Sequence, residues 1–195
     1  MTLEMISIGF LLGIRHAFEP DHLAAISTQI AQENKFIHQL KHALAWGLGH
    51  TLFLFIIASI IILNQVHIPK NLELLIECGI GILLITLGIN AIKIIKKISA
   101  TSIITPTKKS FLIGSAHGLA GSTAIILLIS TQFSNKFTGL AYIIIVGIGS
   151  ILGMSLITSL FHTLPIQKNH RIQKIAGIIS ISVGILVIIK TITLF

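Results

Sequence analysis

The chain has 195 residues, of which 53% are hydrophobic and only 10% are charged. A soluble domain carries roughly a quarter charged residues, so this composition excludes an ordinary soluble protein and predicts a membrane protein built as one unit. The net charge of +8 does not indicate nucleic-acid binding, because the basic residues cluster in short connections between apolar runs. The lone cysteine, Cys78, excludes a disulfide framework and a CxxC redox pair.

Apolar runs of about 20 residues predict an all-α, polytopic fold with six transmembrane helices. The predicted spans are 3–31, 43–63, 72–95, 111–131, 139–161 and 172–194, joined by polar connections at 32–42, 64–71, 96–110, 132–138 and 162–171. Ten Lys and Arg residues lie at the first, third and fifth connections, against three on the opposite face. The positive-inside rule therefore predicts a multi-pass protein of the cytoplasmic (inner) membrane with both termini outside the cytoplasm. The N-terminus lacks a basic leader and a cleavage site, so the first span is expected to be retained.

The first span contains a cluster of ionisable residues, Arg15-His16-Ala17-Phe18-Glu19-Pro20-Asp21-His22. Ionisable groups at membrane depth are costly, and they indicate a functional site by default. Proline disfavours helical geometry at the preceding residue and suits the first position of a new helix. The span is therefore expected to be two half-helices, one ending near His16 or Ala17 and one beginning at Pro20. This break would turn both imidazoles and the aspartate toward one point.

Simpler explanations of the first span remain open. Pro20 could kink a continuous helix. Arg15 and Glu19, spaced i and i+4, could form a structural ion pair. His22 could be a histidine that packs in the core with its hydrogen bonds satisfied.

Later spans add buried polar groups. His50 follows two glycines in Trp46-Gly47-Leu48-Gly49-His50-Thr51, and His117 begins His117-Gly118-Leu119-Ala120-Gly121-Ser122-Thr123. An interhelical hydrogen bond is the alternative for His117. Imidazole and carboxylate without thiolate suit Ni²⁺, Co²⁺ or Zn²⁺ better than Cu⁺ or Mg²⁺. The predicted metal ligands are His16, Asp21, His22, His50 and His117.

Other titratable residues are expected to have structural or surface roles. Glu77 is expected to be a carboxylate at a helix N-terminus, where the dipole favours it. The remaining histidines lie at span ends or in connections and are expected at the surface: His38, His42, His67, His162 and His170.

The chain also contains a weak internal repeat. Gly13-Ile14-Arg15-His16-Ala17 is echoed by Gly114-Ser115-Ala116-His117-Gly118, and Gly47-Leu48-Gly49-His50 by Gly147-Ile148-Gly149-Ser150. The offsets of 101 and 100 residues predict two halves, approximately 1–97 and 98–195, within one transporter domain, 1–195. Three spans in each half would give the halves opposite orientation, a recurrent plan of transporters with a midplane site.

The sequence resembles the nickel/cobalt transporter superfamily (NiCoT/NicO), and within it the short branch of urease-accessory-type membrane proteins. The resemblance rests on His16-x4-Asp21-His22, on Gly49-His50-Thr51 and on the run that begins at His117. It implies movement of Ni²⁺ or Co²⁺ across the cytoplasmic membrane, with His16, Asp21, His22 and His50 as the metal-selecting residues. Glu19-Pro20 departs from the Asp-Ala of longer members, which also have eight spans and later acidic motifs that are missing here.

These observations predict a permease for a divalent metal ion with no prosthetic group. Its expected partners are the metal ion and the lipid bilayer, with a homo-oligomer or metalloenzyme maturation proteins as further candidates. An exporter and a membrane accessory protein for metalloenzyme maturation remain alternatives. An intramembrane metal hydrolase is disfavoured because HEXXH and a general base are missing, so the chain is not expected to be an enzyme.

Overall fold

The computed structural model describes residues 2–30, 33, 35–65, 69–94, 106–120, 133, 135–163 and 170–193. All regular structure within these residues is helical, which confirms the all-α prediction. The described helices are α1 (Leu3–Ala17), α2 (Pro20–Ile30), α3 (Phe36–Asn64), α4 (Lys70–Ile94), α5 (Pro106–Ala120), α6 (Lys136–Thr163) and α7 (His170–Ile192).

Four of these helices have the length and composition to cross a membrane. They are Phe36–Asn64, Lys70–Lys93, Lys136–Thr163 and Gln173–Ile192, with mean hydropathies between 2.1 and 2.4. They correspond to the second, third, fifth and sixth predicted spans, and they identify the chain as a helical membrane protein. The first predicted span consists of two helices of 15 and 11 residues. The predicted span 111–131 begins within α5, and its part from 121 onward lies outside the described residues.

The interruption of the first span lies where the sequence predicts it. The hydroxyl of Thr2 caps the start of α1 by accepting a 3.4 Å hydrogen bond from the backbone N–H of Met5. At the other end, the backbone N–H of Phe18 donates to the carbonyl of Arg15 at 3.0 Å, which closes the last turn of α1. Pro20 then opens α2, and its fixed φ suits that first helical position.

The helices pack so that α2 lies inside the bundle. Helix α1 packs on α6, α3 on α5 and α6, and α4 on α7, whereas α2 contacts α3, α4, α6 and α7. Residues 24–30 of α2 are all buried. Large apolar side chains such as Leu48, Ile148 and Leu186 are about half exposed on the outer faces, as expected for helices that face lipid.

Candidate metal centre

The five side chains predicted as metal ligands come from four different helices. His16 lies in the last turn of α1, Asp21 and His22 in the first turn of α2, His50 in the middle of α3, and His117 in the last turn of α5. The four histidines are between 0% and 3% exposed. Asp21 is 20% exposed. These five side chains, which are up to 101 residues apart in the sequence, therefore form one buried group, which we call the central cluster.

His22 is at the middle of the central cluster. Its ring centroid lies 4.3 Å from that of His16, 5.1 Å from that of His50 and 5.2 Å from that of His117. Asp21 joins the rings from one side, with Oδ1 3.1 Å from Nδ1 of His22 and Oδ2 3.6 Å from Nε2 of His117. The structure thus brings together every residue that the sequence nominated as a ligand.

The imidazoles of the central cluster lack ordinary hydrogen bonds. Asp21 and Glu19 approach three of the rings at ion-pair distances of 3.0, 3.1 and 3.6 Å, but none of these contacts meets both the distance and the angles of a hydrogen bond. Within the described residues, neither ring nitrogen of His16, His22, His50 or His117 has a hydrogen-bond partner. Buried polar atoms without partners cost free energy, so nitrogens left in this state indicate a site that is completed by a ligand.

The geometry of the central cluster suits a metal ion. Two sets of three potential ligand atoms, one atom from each residue, lie within 4.8 Å of one another: those of His16, His22 and His50, and those of Asp21, His22 and His117. Ligand atoms bound at about 2.1 Å to one ion are at most about 4.2 Å apart, so side-chain shifts of under about 1 Å would suffice for coordination. The two groups share His22, and together they offer four imidazoles and one carboxylate.

Close packing of α3 on α5 brings His50 and His117 into the same layer. A β-carbon on Gly114 would overlap the carbonyl oxygen of Trp46, and one on Gly118 would overlap that of His50. Only glycine lets the two backbones approach this closely. The glycine-rich runs around His50 and His117 therefore have a structural role that positions these two histidines.

A cavity of about 440 Å³ adjoins the central cluster between α2, α4 and α7. Its wall includes the carboxylates of Glu19, Asp21 and Glu77 together with Lys190. Glu77 accepts a 3.2 Å hydrogen bond from the hydroxyl of Thr191 and lies beyond the first turn of α4. The prediction of a helix N-terminal carboxylate was therefore wrong, since α4 already begins at Lys70. Asp21 belongs to both the cavity wall and the central cluster, so it connects the two.

The geometry of the first span differs from what each of the simpler explanations requires. Helix α1 ends before Pro20, so the proline does not kink a continuous helix. Glu19 Oε2 lies 3.0 Å from His16 Nδ1, and no ion pair joins it to Arg15 among the described residues. His22 is not a histidine with satisfied hydrogen bonds.

Sequence reasoning missed three residues near the site. Trp46 is fully buried, and its ring stacks on His50 at a centroid distance of 5.2 Å and an interplanar angle of 7°. His42 was expected at the surface, but it is 6% exposed because α3 begins at Phe36 and takes up the end of the predicted connection 32–42. It faces the carboxylate of Glu33, which was not singled out.

The other histidines expected at the surface differ in their environment. The side chain of His38 is 51% exposed, as predicted, and His162 is half-buried. His67 lies outside the described residues, and the side chain of His170 is likewise not described.

Comparison with known proteins shows the family of the chain. Residues 2–85, which contain four of the five predicted ligands, match the NicO family, described as a high-affinity nickel-transport protein. The chain is 37% identical to a urease accessory protein, UreH, of Bacillus sp. (strain TB-90), over 94% of this chain and 90% of that protein. The chain belongs to the urease-accessory branch of the nickel/cobalt transporter superfamily. Both descriptions are of transport or accessory proteins, not of enzymes. No solved structure matches the chain.

Proposed function

We propose that this NicO-family protein is a six-span permease that carries Ni²⁺ or Co²⁺ across the cytoplasmic membrane through the central cluster. The observation that carries the proposal is the convergence of four buried imidazoles and one carboxylate whose ring nitrogens lack hydrogen bonds in the described part of the chain. Such a donor set suits a borderline divalent cation, including Zn²⁺. The ion is the cargo, and no prosthetic group is proposed.

Equivalent helix contacts support an inverted repeat of two halves, approximately 1–97 and 98–195. Gly13 of α1 meets the carbonyl of Val146 in α6, and Gly114 of α5 meets the carbonyl of Trp46 in α3. A shift of about 100 residues relates these two contacts, and the pair α4 and α7 maps onto itself. Two halves that rock about a shared midplane site would expose the ion to each side in turn.

Uptake is the proposed direction, with both termini outside the cytoplasm. Lys190 near the end of α7 and Glu77 near the start of α4 line the cavity, which therefore opens toward the face with few basic residues. Carboxylates on that wall would attract a cation before Asp21 passes it to the imidazoles.

Accumulation of nickel in cells that lack other nickel uptake tests the proposal. We expect the native chain to raise accumulation and His16→Ala, Asp21→Asn and His50→Ala each to abolish the increase. His162→Ala is the matched control, because His162 bonds to Gln39 and lies outside the central cluster. Accumulation that none of the three changes alters would contradict transport through this cluster, and accumulation below that of empty cells would indicate export.

A role in urease maturation is the second candidate, favoured by the description of the Bacillus relative. The two roles predict different responses to external nickel in a host from which this protein has been deleted. If the protein is a permease, excess Ni²⁺ in the medium restores urease activity to the deletion host. If the host remains inactive at every tolerated concentration, the maturation role is favoured.

A further inference from the structure

A second group of ligand-type side chains lies beyond the opposite end of α2. Glu33 follows α2, and His38 and His42 lie in the first two turns of α3. Glu33 Oε2 is 3.5 Å from Nδ1 of His38, and Glu33 Oε1 is 3.5 Å from Nε2 of His42. One carboxylate therefore stands between two imidazoles. We call Glu33, His38 and His42, with the adjoining Ser110, the terminal cluster.

Each of the two contacts of Glu33 in the terminal cluster has the spacing of a pair of metal ligands, although the three ligand atoms of this cluster do not all lie within 4.8 Å of one another as each set of three in the central cluster does. A hydrogen bond between a ring N–H and a carboxylate has its donor and acceptor about 2.7–3.2 Å apart, and both contacts of Glu33 are longer. Two atoms bound to one ion at about 2.1 Å and at the tetrahedral angle are about 3.4 Å apart. Each oxygen of Glu33 thus lies at ligand spacing from a different imidazole.

Ser110 orients the buried ring of the terminal cluster. Its hydroxyl oxygen lies 2.6 Å from Nδ1 of His42, and both residues are buried. When Nδ1–H of His42 donates to this hydroxyl, Nε2 carries the lone pair and directs it toward Glu33. Metal-binding histidines are commonly oriented in this way, by a hydrogen bond from the ring nitrogen that does not bind the ion.

The backbone of Glu33 is also fixed in place. The side-chain amide of Gln39 donates to the carbonyl of Glu33 at 2.9 Å and to that of Ile30 at 3.2 Å. Gln39 is 2% exposed, and its own oxygen lies 3.0 Å from Nδ1 of His162. This network makes ordinary hydrogen bonds throughout, and it anchors the segment that presents the carboxylate.

The terminal and central clusters are two levels of the same helix pair. His42, Trp46 and His50 follow one another at intervals of four residues on α3, so the two histidines are about 12 Å apart along its axis. Ser110 and His117 are likewise two turns apart on α5. Trp46 lies between the levels with its ring on His50.

We propose that the terminal cluster is a second binding site for a divalent transition metal ion, weaker than the central cluster. It has fewer imidazoles than the central cluster. His38 is half exposed and Glu33 26% exposed, so the ion can exchange with water there. Its place on the transport path, at the end that the basic residues mark as cytoplasmic, rests on the proposed function.

Titration of the purified protein with Co²⁺ in detergent tests this site. Calorimetry and the visible absorption of the bound ion both measure the binding. We expect the native protein to show a tight and a weak class of bound Co²⁺. Glu33→Gln preserves size and should remove the weak class, and the double variant Glu33→Gln/His42→Asn should do the same. Thr163→Ala is the control at this end of the bundle and should retain both classes, because Thr163 is exposed and its hydroxyl bonds to the carbonyl of Leu160 in its own helix.

The outcomes separate the two sites. If both Glu33 variants retain the weak class, the contacts of Glu33 with His38 and His42 are only ion pairs, and the terminal cluster is not a metal site. The double variant His22→Ala/His50→Ala should lose only the tight class, which supports the terminal cluster independently. If that variant keeps both classes while Glu33→Gln loses the weak one, the terminal site stands and the central site fails.

Discussion

The central and terminal clusters contain similar side chains but satisfy them differently. In the central cluster, four imidazoles are buried without a hydrogen bond among the described residues. In the terminal cluster, His42 is bonded to Ser110, and His38 is half exposed to solvent. A hydroxyl and solvent serve the terminal rings, whereas the central rings have no hydrogen-bond partner in the described part of the chain. The comparison teaches that the lack of partners, more than the number of histidines, distinguishes the stronger candidate for a binding site.

Loss of His22 should have the largest effect in this comparison. His22 contacts the other three imidazoles and Asp21, so His22→Ala removes the group shared by both sets of ligands. We expect the tight class of Co²⁺ to weaken by about 100-fold or more, beyond the roughly 10- to 100-fold cost of losing an outer hydrogen-bond partner. Calorimetric titration measures this loss. An equal loss in His162→Ala would show that the effect is not specific to the central cluster.

Substitution of Gly114 should break the packing that assembles the central cluster. In Gly114→Ala the new β-carbon would overlap the carbonyl of Trp46, so α5 must move away from α3. We expect a loss of stability of about 1–3 kcal/mol and a weaker tight site. Gly79→Ala is the control, because nothing lies within 4 Å of its added β-carbon. Thermal unfolding in detergent compares the two variants; equal midpoints would contradict the packing argument.

Acid should weaken the terminal cluster before the central one. An imidazole binds metal only when neutral, and an imidazole in water has a pKa of about 6.5, so protons compete with the ion below that pH wherever water reaches the ring. Burial disfavours the charged form of an imidazole, and the four central rings are buried, whereas His38 of the terminal cluster is half exposed. Co²⁺ binding measured from pH 5 to 8 tests this. A tight class that is lost at a higher pH than the weak class would contradict it.

Removal of the Ser110 hydroxyl should have the smallest effect. Ser110→Ala leaves His42 in place but removes its partner at Nδ1, so the ring loses orientation without losing its ligand atom. We expect the weak class of Co²⁺ to lose affinity by about tenfold, the lower end of the range for an outer partner. The tight class should not change. A change confined to the tight class would contradict the separation of the two clusters.

Much of the architecture follows from local properties of the sequence. Hydropathy predicted the four long apolar helices, because burying a continuous apolar run in lipid depends on that run alone. Proline chemistry predicted the end of α1 and the start of α2 at Pro20. The ligand residues were nominated because charge and imidazole are costly at membrane depth.

Helix ends in polar stretches were less predictable. The connection 32–42 was assigned by polarity, but α3 begins at Phe36, and this difference moved His42 from the surface into the bundle. Polar residues at the start of a helix lower its hydropathy without ending it, so an average over a window misplaces the boundary.

The sequence by itself determined that this protein is helical, membrane-embedded and broken at Pro20, since each of these depends on neighbouring residues. Only the tertiary structure decided that His117 meets His22, which lies 95 positions earlier in the chain, and that Glu33 faces His42. These contacts depend on how closely α3 and α5 approach and on where α2 lies between the other helices. Packing between segments that are distant in the sequence sets the approach of α3 and α5 and the position of α2, and no local sequence pattern encodes either of them.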